Sequence, residues 1–208
     1  MAVADKLDFD ILGDVKTSKK CLIFIHGWRG DKHSFKKVAQ SFNINDSVWY
    51  LPQAPYLIKD QEGGYSWTYE ISPGKYEREK PLKLLVSFFN KKIFSHFNSR
   101  DVFVFGFSQG GLVCYELLRV LDKPLGGVFP IAGFMTKKSK KKKIHTMQLD
   151  TPIMIGHGRE DTIILKEESE LAYKLLSKES NFVSFEMYSG GHKIGMSYIK
   201  KVKNLIES

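Results

Sequence analysis

Residues 101–111 read DVFVFGFSQGG, and residues 112–121 continue as LVCYELLRVL. The run Val102, Phe103, Val104, Phe105 is β-branched and aromatic without alternation, as expected of a parallel strand buried on both faces. Leu112, Val113, Tyr115, Leu117, Leu118 and Leu121 are spaced to cover a broad face of a helix. The turn between strand and helix is therefore very short. A reversal that tight crowds its central residue, and Gly106 and Gly110, having no Cβ, would let the neighbouring segments pass. Ser108 is thereby thrust outward. The pattern is G-x-S-x-G in the context it requires, with strand before and helix after, which makes Ser108 a candidate nucleophile at the carboxyl end of a central strand.

Outward from this stretch, apolar runs that read as buried strands recur at 21–27, 48–55, 126–133, 151–158 and 181–188, most of them ending in Gly or Pro. Helical spacing is clearest at 79–98, where Leu82, Leu85, Val86, Phe89, Ile93 and Phe97 follow a three-four rhythm and Pro81 falls near the first turn. Further helices are predicted at 31–42, 109–122, 166–178 and 195–206. Residues 7–13 (LDFDILG) suit an antiparallel edge strand. Alternating strands and helices imply an α/β fold, with a mostly parallel central sheet and helices on both faces. Neither an internal repeat nor a linker divides the chain, so residues 1–208 are expected to form one domain. The segment 56–78 reads as a long loop, and such loops are usually functional.

Composition narrows the class. With 208 residues, 42% hydrophobic and 26% charged, the chain suits an ordinary globular protein with a proper core. The start MAVADKLDFD lacks a basic region followed by an apolar stretch, and no segment approaches the length of a membrane span, so a cytoplasmic protein is expected. Cys21 and Cys114 read as small buried apolar residues, without disulfide or metal-ligand spacing. Of the net charge of +9, Lys137, Lys138, Lys140, Lys141, Lys142 and Lys143 supply six. That run reads as a solvated loop, with weak contact to an anionic membrane surface as its functional alternative. Nucleic acid is not expected as a partner, because no aromatics are interleaved with the lysines.

A serine hydroxyl needs a base to take its proton and an acid to orient that base. Open parallel sheets carry their sites at the carboxyl ends of the strands. After the run at 151–158 come Glu160 and Asp161; after the run at 181–188 come two glycines and His192. The order Ser108, Asp161, His192 is the nucleophile, acid, base order of α/β-hydrolases, with Glu160 as the rival acid. His26 reads as a loop-ordering residue, His157 as part of a strand-end turn, and His33, His96 and His145 as surface groups. Two N–H donors must face the developing oxyanion. The amide of Gln109, at a helix N-terminus, is one candidate, and that of Trp28, in the loop after CLIFIHG, is the other.

Taken together and in order, IFIHGWRGD, PQAPY, GGYSW, GFSQGG, GHGREDTII and SGGHKI resemble the phospholipase/carboxylesterase family of small α/β-hydrolases, with its acyl-protein thioesterases and bacterial predicted esterases. The resemblance spans nearly the whole chain. It implies a compact, cofactor-free hydrolase of carboxylic or thiol esters without a large cap domain, with Ser108, Asp161 and His192 as triad and the Trp28 and Gln109 amides as oxyanion hole. It favours Asp161 over Glu160. It also makes Tyr65 and Trp67 candidate pocket residues, Trp67 being equally readable as a core anchor. Arg29 stands where related esterases often have Gly, which implies a strained, reshaped or substrate-closed oxyanion turn. The expected reaction is acyl transfer to water in two stages, rising with pH as His192 gives up its proton. Its rivals are a lysophospholipase working at a membrane face and a non-catalytic binding scaffold on the same fold.

Overall fold

The computed structural model describes residues 6–208; residues 1–5, on which part of the leader reading falls, lie outside the described residues. The strands are β1 (Phe9–Leu12), β2 (Lys20–Ile25), β3 (Ser47–Pro52), β4 (Tyr56–Leu57), β5 (Tyr65–Ser66), β6 (Tyr69–Ser72), β7 (Lys75–Glu77), β8 (Val102–Phe107), β9 (Gly127–Ile131), β10 (Ile153–Gly158) and β11 (Val183–Tyr188). The helices are α1 (Lys36–Phe42), α2 (Glu79–Phe88), α3 (Gln109–Leu117), α4 (Lys166–Leu176) and α5 (Met196–Glu207). Seven strands form one sheet in the order β1-β3-β2-β8-β9-β10-β11. β1 is the antiparallel edge and every other neighbour is parallel.

The uninterrupted apolar runs are explained by the sheet's two covered faces. Along β2 and β8, Cys21, Ile23, Ile25, Val102 and Val104 point into one core, with Leu85 and Phe88 of α2, Leu112 and Leu117 of α3, and Ala172 and Leu176 of α4. Leu22, Phe24, Phe103 and Phe105 point into the other, against Ala39 and Phe42 of α1 and Tyr198, Ile199, Val202 and Ile206 of α5. The second core is aromatic. Phe105 lies 4.9 Å from Phe42 edge-on and 4.8 Å from Phe129, centroid to centroid. Removing a fully buried ring such as Phe105 would cost about 3–5 kcal/mol. β8, bearing Ser108 at its end, is thus held on both faces and on both edges.

Several predicted boundaries move. The helix expected at 31–42 begins only at Lys36, because Asp31 Oδ1 accepts the amides of His33 (2.9 Å) and Ser34 (2.8 Å) and folds residues 31–34 into a local turn. The helix expected at 79–98 stops at Phe88 and widens into a π-helical turn over Phe89–Ile93, closed by the Phe94 amide on Phe89 O at 2.8 Å. That wider turn lets Phe88, Phe89 and Ile93 all reach the core. The long loop expected at 56–78 contains two short antiparallel pairs, β4 with β5 and β6 with β7. No helix among the described residues is long and apolar enough to cross a membrane.

Candidate active site

Ser108 sits between β8 and α3 with φ 54° and ψ −112°, a conformation that costs an L-residue on the order of 1–3 kcal/mol unless its surroundings impose it. The imposition is steric. A Cβ on Gly106 would lie 2.2 Å from Gly110 O, and one on Gly110 would lie 2.0 Å from Ile25 O, so strand, turn and helix pack backbone to backbone. The Ser108 amide donates to Ile131 O at 2.8 Å, which ties the elbow to β9.

Asp161 follows β10 and its side chain is wholly buried. Oδ1 accepts the amides of Ile163 (2.9 Å) and Ile164 (3.0 Å), while Oδ2 lies 2.7 Å from His192 Nδ1. Burial pushes this carboxyl's pKa up, but the His192 contact and the two amides outweigh burial and hold it below its ordinary value. It is therefore an anion, and His192 donates Nδ1–H to it, leaving Nε2 as the free, basic nitrogen. His192 is carried on the loop after β11, which Tyr188 pins by donating its hydroxyl to Lys193 O at 2.6 Å. The ring of Phe107 packs against His192 at 4.6 Å between centroids. Glu160, the rival acid, accepts the Gly190 amide instead and so braces the same loop. Among the described residues neither the Ser108 hydroxyl nor His192 Nε2 has a hydrogen-bond partner; such contacts are often long before substrate binds.

His157 and His26 are both buried and structural in their contacts. His157 pairs through Nδ1 with Ser169 Oγ (2.7 Å) and through Nε2 with Ile164 O (2.9 Å), with Asp161 Oδ2 at 3.5 Å. His26 donates Nδ1–H to Gly27 O (2.7 Å) and accepts the Ala54 amide at Nε2 (3.0 Å). Burial lowers its pKa to about 4, so the ring is neutral. It orders the turn that carries Trp28.

Trp28, Ser108 and Gln109 line one cavity of about 650 Å³ together with Tyr56, Leu57, Ile58, Thr68, Tyr69, Phe134, Ile163 and Ile164. The Trp28 and Gln109 amides have no acceptor among the described residues. Arg29 takes φ 64°, the left-handed region that glycine occupies at lower cost. Its side chain reaches Asp60 Oδ1 (2.7 Å), Glu62 Oε2 (3.3 Å) and Gly63 O (3.2 Å) and lies 4.4 Å from the centre of the Trp28 ring. The bend is thus a real one, and the arginine turns it into a clamp on residues 60–63. The Arg29 guanidinium in turn holds the Asp60 carboxyl well below the ordinary carboxylate range.

Tyr65 and Trp67 do not line this cavity. Trp67 is 1% exposed and donates its indole N–H to His26 O at 3.0 Å, while Tyr65 packs against the core from β5, its amide on Gly30 O and its carbonyl accepting Arg29 N. The short β5 strand turns both rings inward; its neighbours Ser66 and Thr68 face the cavity instead. These are held by Gln109, whose Nε2 donates to Ser66 Oγ and Thr68 Oγ1 (3.0 Å each) and whose Oε1 accepts the Trp67 amide (2.9 Å). Such a role for the Gln109 side chain had no sequence signal. Ile163 and Ile164 had one, since they follow the acid directly.

A sheet of this order with a serine elbow after its central strand and an acid and histidine after later strands is an α/β-hydrolase. Solved structures agree on the fold: esterase PE8 superposes with a TM-score of 0.83 at 20% identity, covering 97% of this chain and 98% of that one. The Bacillus cereus carboxylesterase gives 0.78 at 17% identity, covering 98% and 94%. Residues 8–208 match the family model described as Phospholipase/Carboxylesterase. Acyl-protein thioesterase 1 of Debaryomyces hansenii is 31% identical over 222 residues, covering 95% of this chain and 94% of the relative. Carboxylesterase SOBER1 of Arabidopsis thaliana is 24% identical over 204 residues, covering 89% of each. The chain belongs to the phospholipase/carboxylesterase family, and with it to the carboxylic ester hydrolases.

Proposed function

We propose that this chain hydrolyses acyl esters and thioesters through a Ser108, His192, Asp161 triad and an acyl-enzyme. The observation that carries the reading is the 2.7 Å contact between His192 Nδ1 and the buried Asp161 carboxylate, at the same sheet edge as the strained Ser108 elbow. His192 Nε2 takes the Ser108 proton as Oγ bonds to the acyl carbon. The oxygen of that carbon gains the negative charge and is met by the Trp28 and Gln109 amides. The bond to the leaving oxygen or sulfur then breaks, its electron pair departs with the leaving group, and Nε2 returns the proton to it. Water repeats the cycle: Nε2 accepts its proton, hydroxide adds to the acyl carbon, and Ser108 leaves reprotonated. Asp161 stays ionised and stabilises the imidazolium. None of these steps needs a metal or a cofactor.

Thioester substrates are favoured by the likeness to acyl-protein thioesterase 1, and a cytoplasmic site of action fits the composition. Lys137, Lys141, Lys142 and Lys143 are exposed and without a carboxylate partner among the described residues, which supports weak contact with an anionic membrane face. Lys138 and Lys140 are paired with Glu79 and Glu168 at 3.1 Å each.

The test is kcat/KM on p-nitrophenyl acetate, butyrate, octanoate and palmitate and on an octanoyl thioester, with Ser108→Ala as the blank. Turnover orders of magnitude above the blank is expected. Rates equal to the blank on every substrate would point to the binding scaffold or to a substrate class far from these simple esters.

A further inference from the structure

Arg78 stands at the start of α2, in the wall between two cavities. One is the catalytic cavity, which Arg78 lines with Tyr76. The other, of about 840 Å³, lies over α2 and is also bordered by Arg78 and Tyr76. Leu82, Val86 and Val120 give this second cavity an apolar floor, and its rim is mixed but in net positive, with Lys75, Lys83, Lys91, Lys138 and Lys142 against Glu77, Glu79 and Glu116. Ser108 borders the first cavity, and the two cavities share Tyr76 and Arg78 in their linings.

The side chain of Arg78 has no counter-ion among the described residues. Its Nε is buried without a hydrogen-bond partner, whereas nine in ten or more of buried polar groups are paired. Three carboxylates nearby have other partners: Glu70 accepts the Gly74 amide (2.9 Å), Glu77 the Lys80 amide (2.7 Å), and Glu79 the Lys138 ammonium (3.1 Å). Glu116 borders the same cavity as Arg78 but makes no ion pair with it. Lys59, on the catalytic cavity's wall, is also without an ion pair among the described residues. The guanidinium carbon of Arg78 lies 5.2 Å from the Tyr76 ring centre, which steadies the fork over an aromatic face. A steadied, unpaired guanidinium beside a cavity is the geometry that receives a carboxylate or phosphate in two parallel hydrogen bonds.

We propose that Arg78 is a specificity-determining residue that binds an oxyanion on the leaving group, so that the preferred substrate is an acyl thioester or ester whose thiol or alcohol carries a carboxylate or a phosphate. The inference rests on the hydrolase reading above and adds the class of leaving group to it. The two sources of that anion differ: a carboxylate belongs to an acidic peptide, a phosphate to a phosphorylated thiol or a lipid headgroup.

The experiment compares octanoyl thioesters of mercaptoethanol, mercaptopropionate and mercaptoethyl phosphate, neutral, carboxylate and phosphate in turn. Each rate is divided by that thioester's rate with hydroxide, which removes intrinsic reactivity. The wild-type protein is expected to prefer at least one anionic thioester by about tenfold or more, the scale of a hydrogen bond to a charged group. Added salt should erode the preference. Arg78→Gln should bring the anionic-to-neutral ratio close to one, and Arg78→Lys should retain part of it. The favoured anion names the source. A wild-type ratio near one overturns the inference, as does an Arg78→Gln variant that slows every thioester by one factor, and both leave the hydrolase reading standing. Failure of all three thioesters to exceed the Ser108→Ala blank strikes that reading instead.

Discussion

Acidification should weaken this fold through one side chain, His26. Its ring is 1% exposed, gives its Nδ1 proton to Gly27 O and holds the Ala54 amide with Nε2. A second proton on Nε2 would face that N–H and bring an uncompensated charge into the core. The native pKa is accordingly lowered to about 4 from an ordinary 6.5. Because the folded value lies below the unfolded one, the unfolded chain binds more protons between them. The stability due to neutral His26 is fully present above about pH 6.5, falls as the pH drops toward 4, and levels off below that. At 1.36 kcal/mol per pKa unit the loss is roughly 3 kcal/mol, a large share of a typical domain's stability. Urea unfolding of the wild-type protein and of His26→Asn, at pH values from about 8 to 4, isolates the effect because the other titrating groups are common to both. The stability gap between the two proteins should shrink by roughly 3 kcal/mol over that range. A gap that does not change with pH would refute the reasoning.

Three further outcomes follow from the site. Ser108→Gly should melt higher than Ser108→Ala by the equivalent of about 1 kcal/mol, since both lack the hydroxyl and only glycine relieves φ 54°; equal melting temperatures would mean the elbow is unstrained. Gly106→Ala forces a Cβ to 2.2 Å from Gly110 O, which is backbone and cannot turn aside, and should cost about 3 kcal/mol or more by thermal unfolding. Asp161→Asn should lower kcat by about four orders of magnitude, because an amide can present its N–H to His192 and favour the wrong tautomer; a loss under tenfold would give the acid's role to another group.

Much of this was legible in the sequence, for reasons that differ by element. Buried parallel strands advertise themselves as continuous apolar runs, so β2, β8 and β10 were visible, and the edge strand β1 falls within the stretch read as one at 7–13. The elbow was visible because any Cβ at 106 or 110 would lie 2.0–2.2 Å from a backbone oxygen, so only glycine is admitted at either position. Helix starts were less so: Asp31 competes for the amides that a longer α1 would need, and that contest leaves little trace in periodicity. The cavity wall was read least well. Tyr65 and Trp67 look like pocket residues by neighbourhood, but a two-residue strand decides which side chains turn inward, and the hydrogen bonds of Gln109 that set it join residues over forty positions apart. Arg78 was equally silent, since what marks it is a missing partner.

The Gln109 tether has a consequence for how such a protein can change. Its backbone follows Ser108 directly while its side chain suspends Ser66, Trp67 and Thr68, so the inner wall of the cavity is tethered to the serine elbow. The β6–β7 ribbon lies beyond Thr68, with every strand residue but Glu77 exposed. Variation can therefore accumulate in the ribbon, and re-tailor what the enzyme admits, while the catalytic geometry is inherited intact.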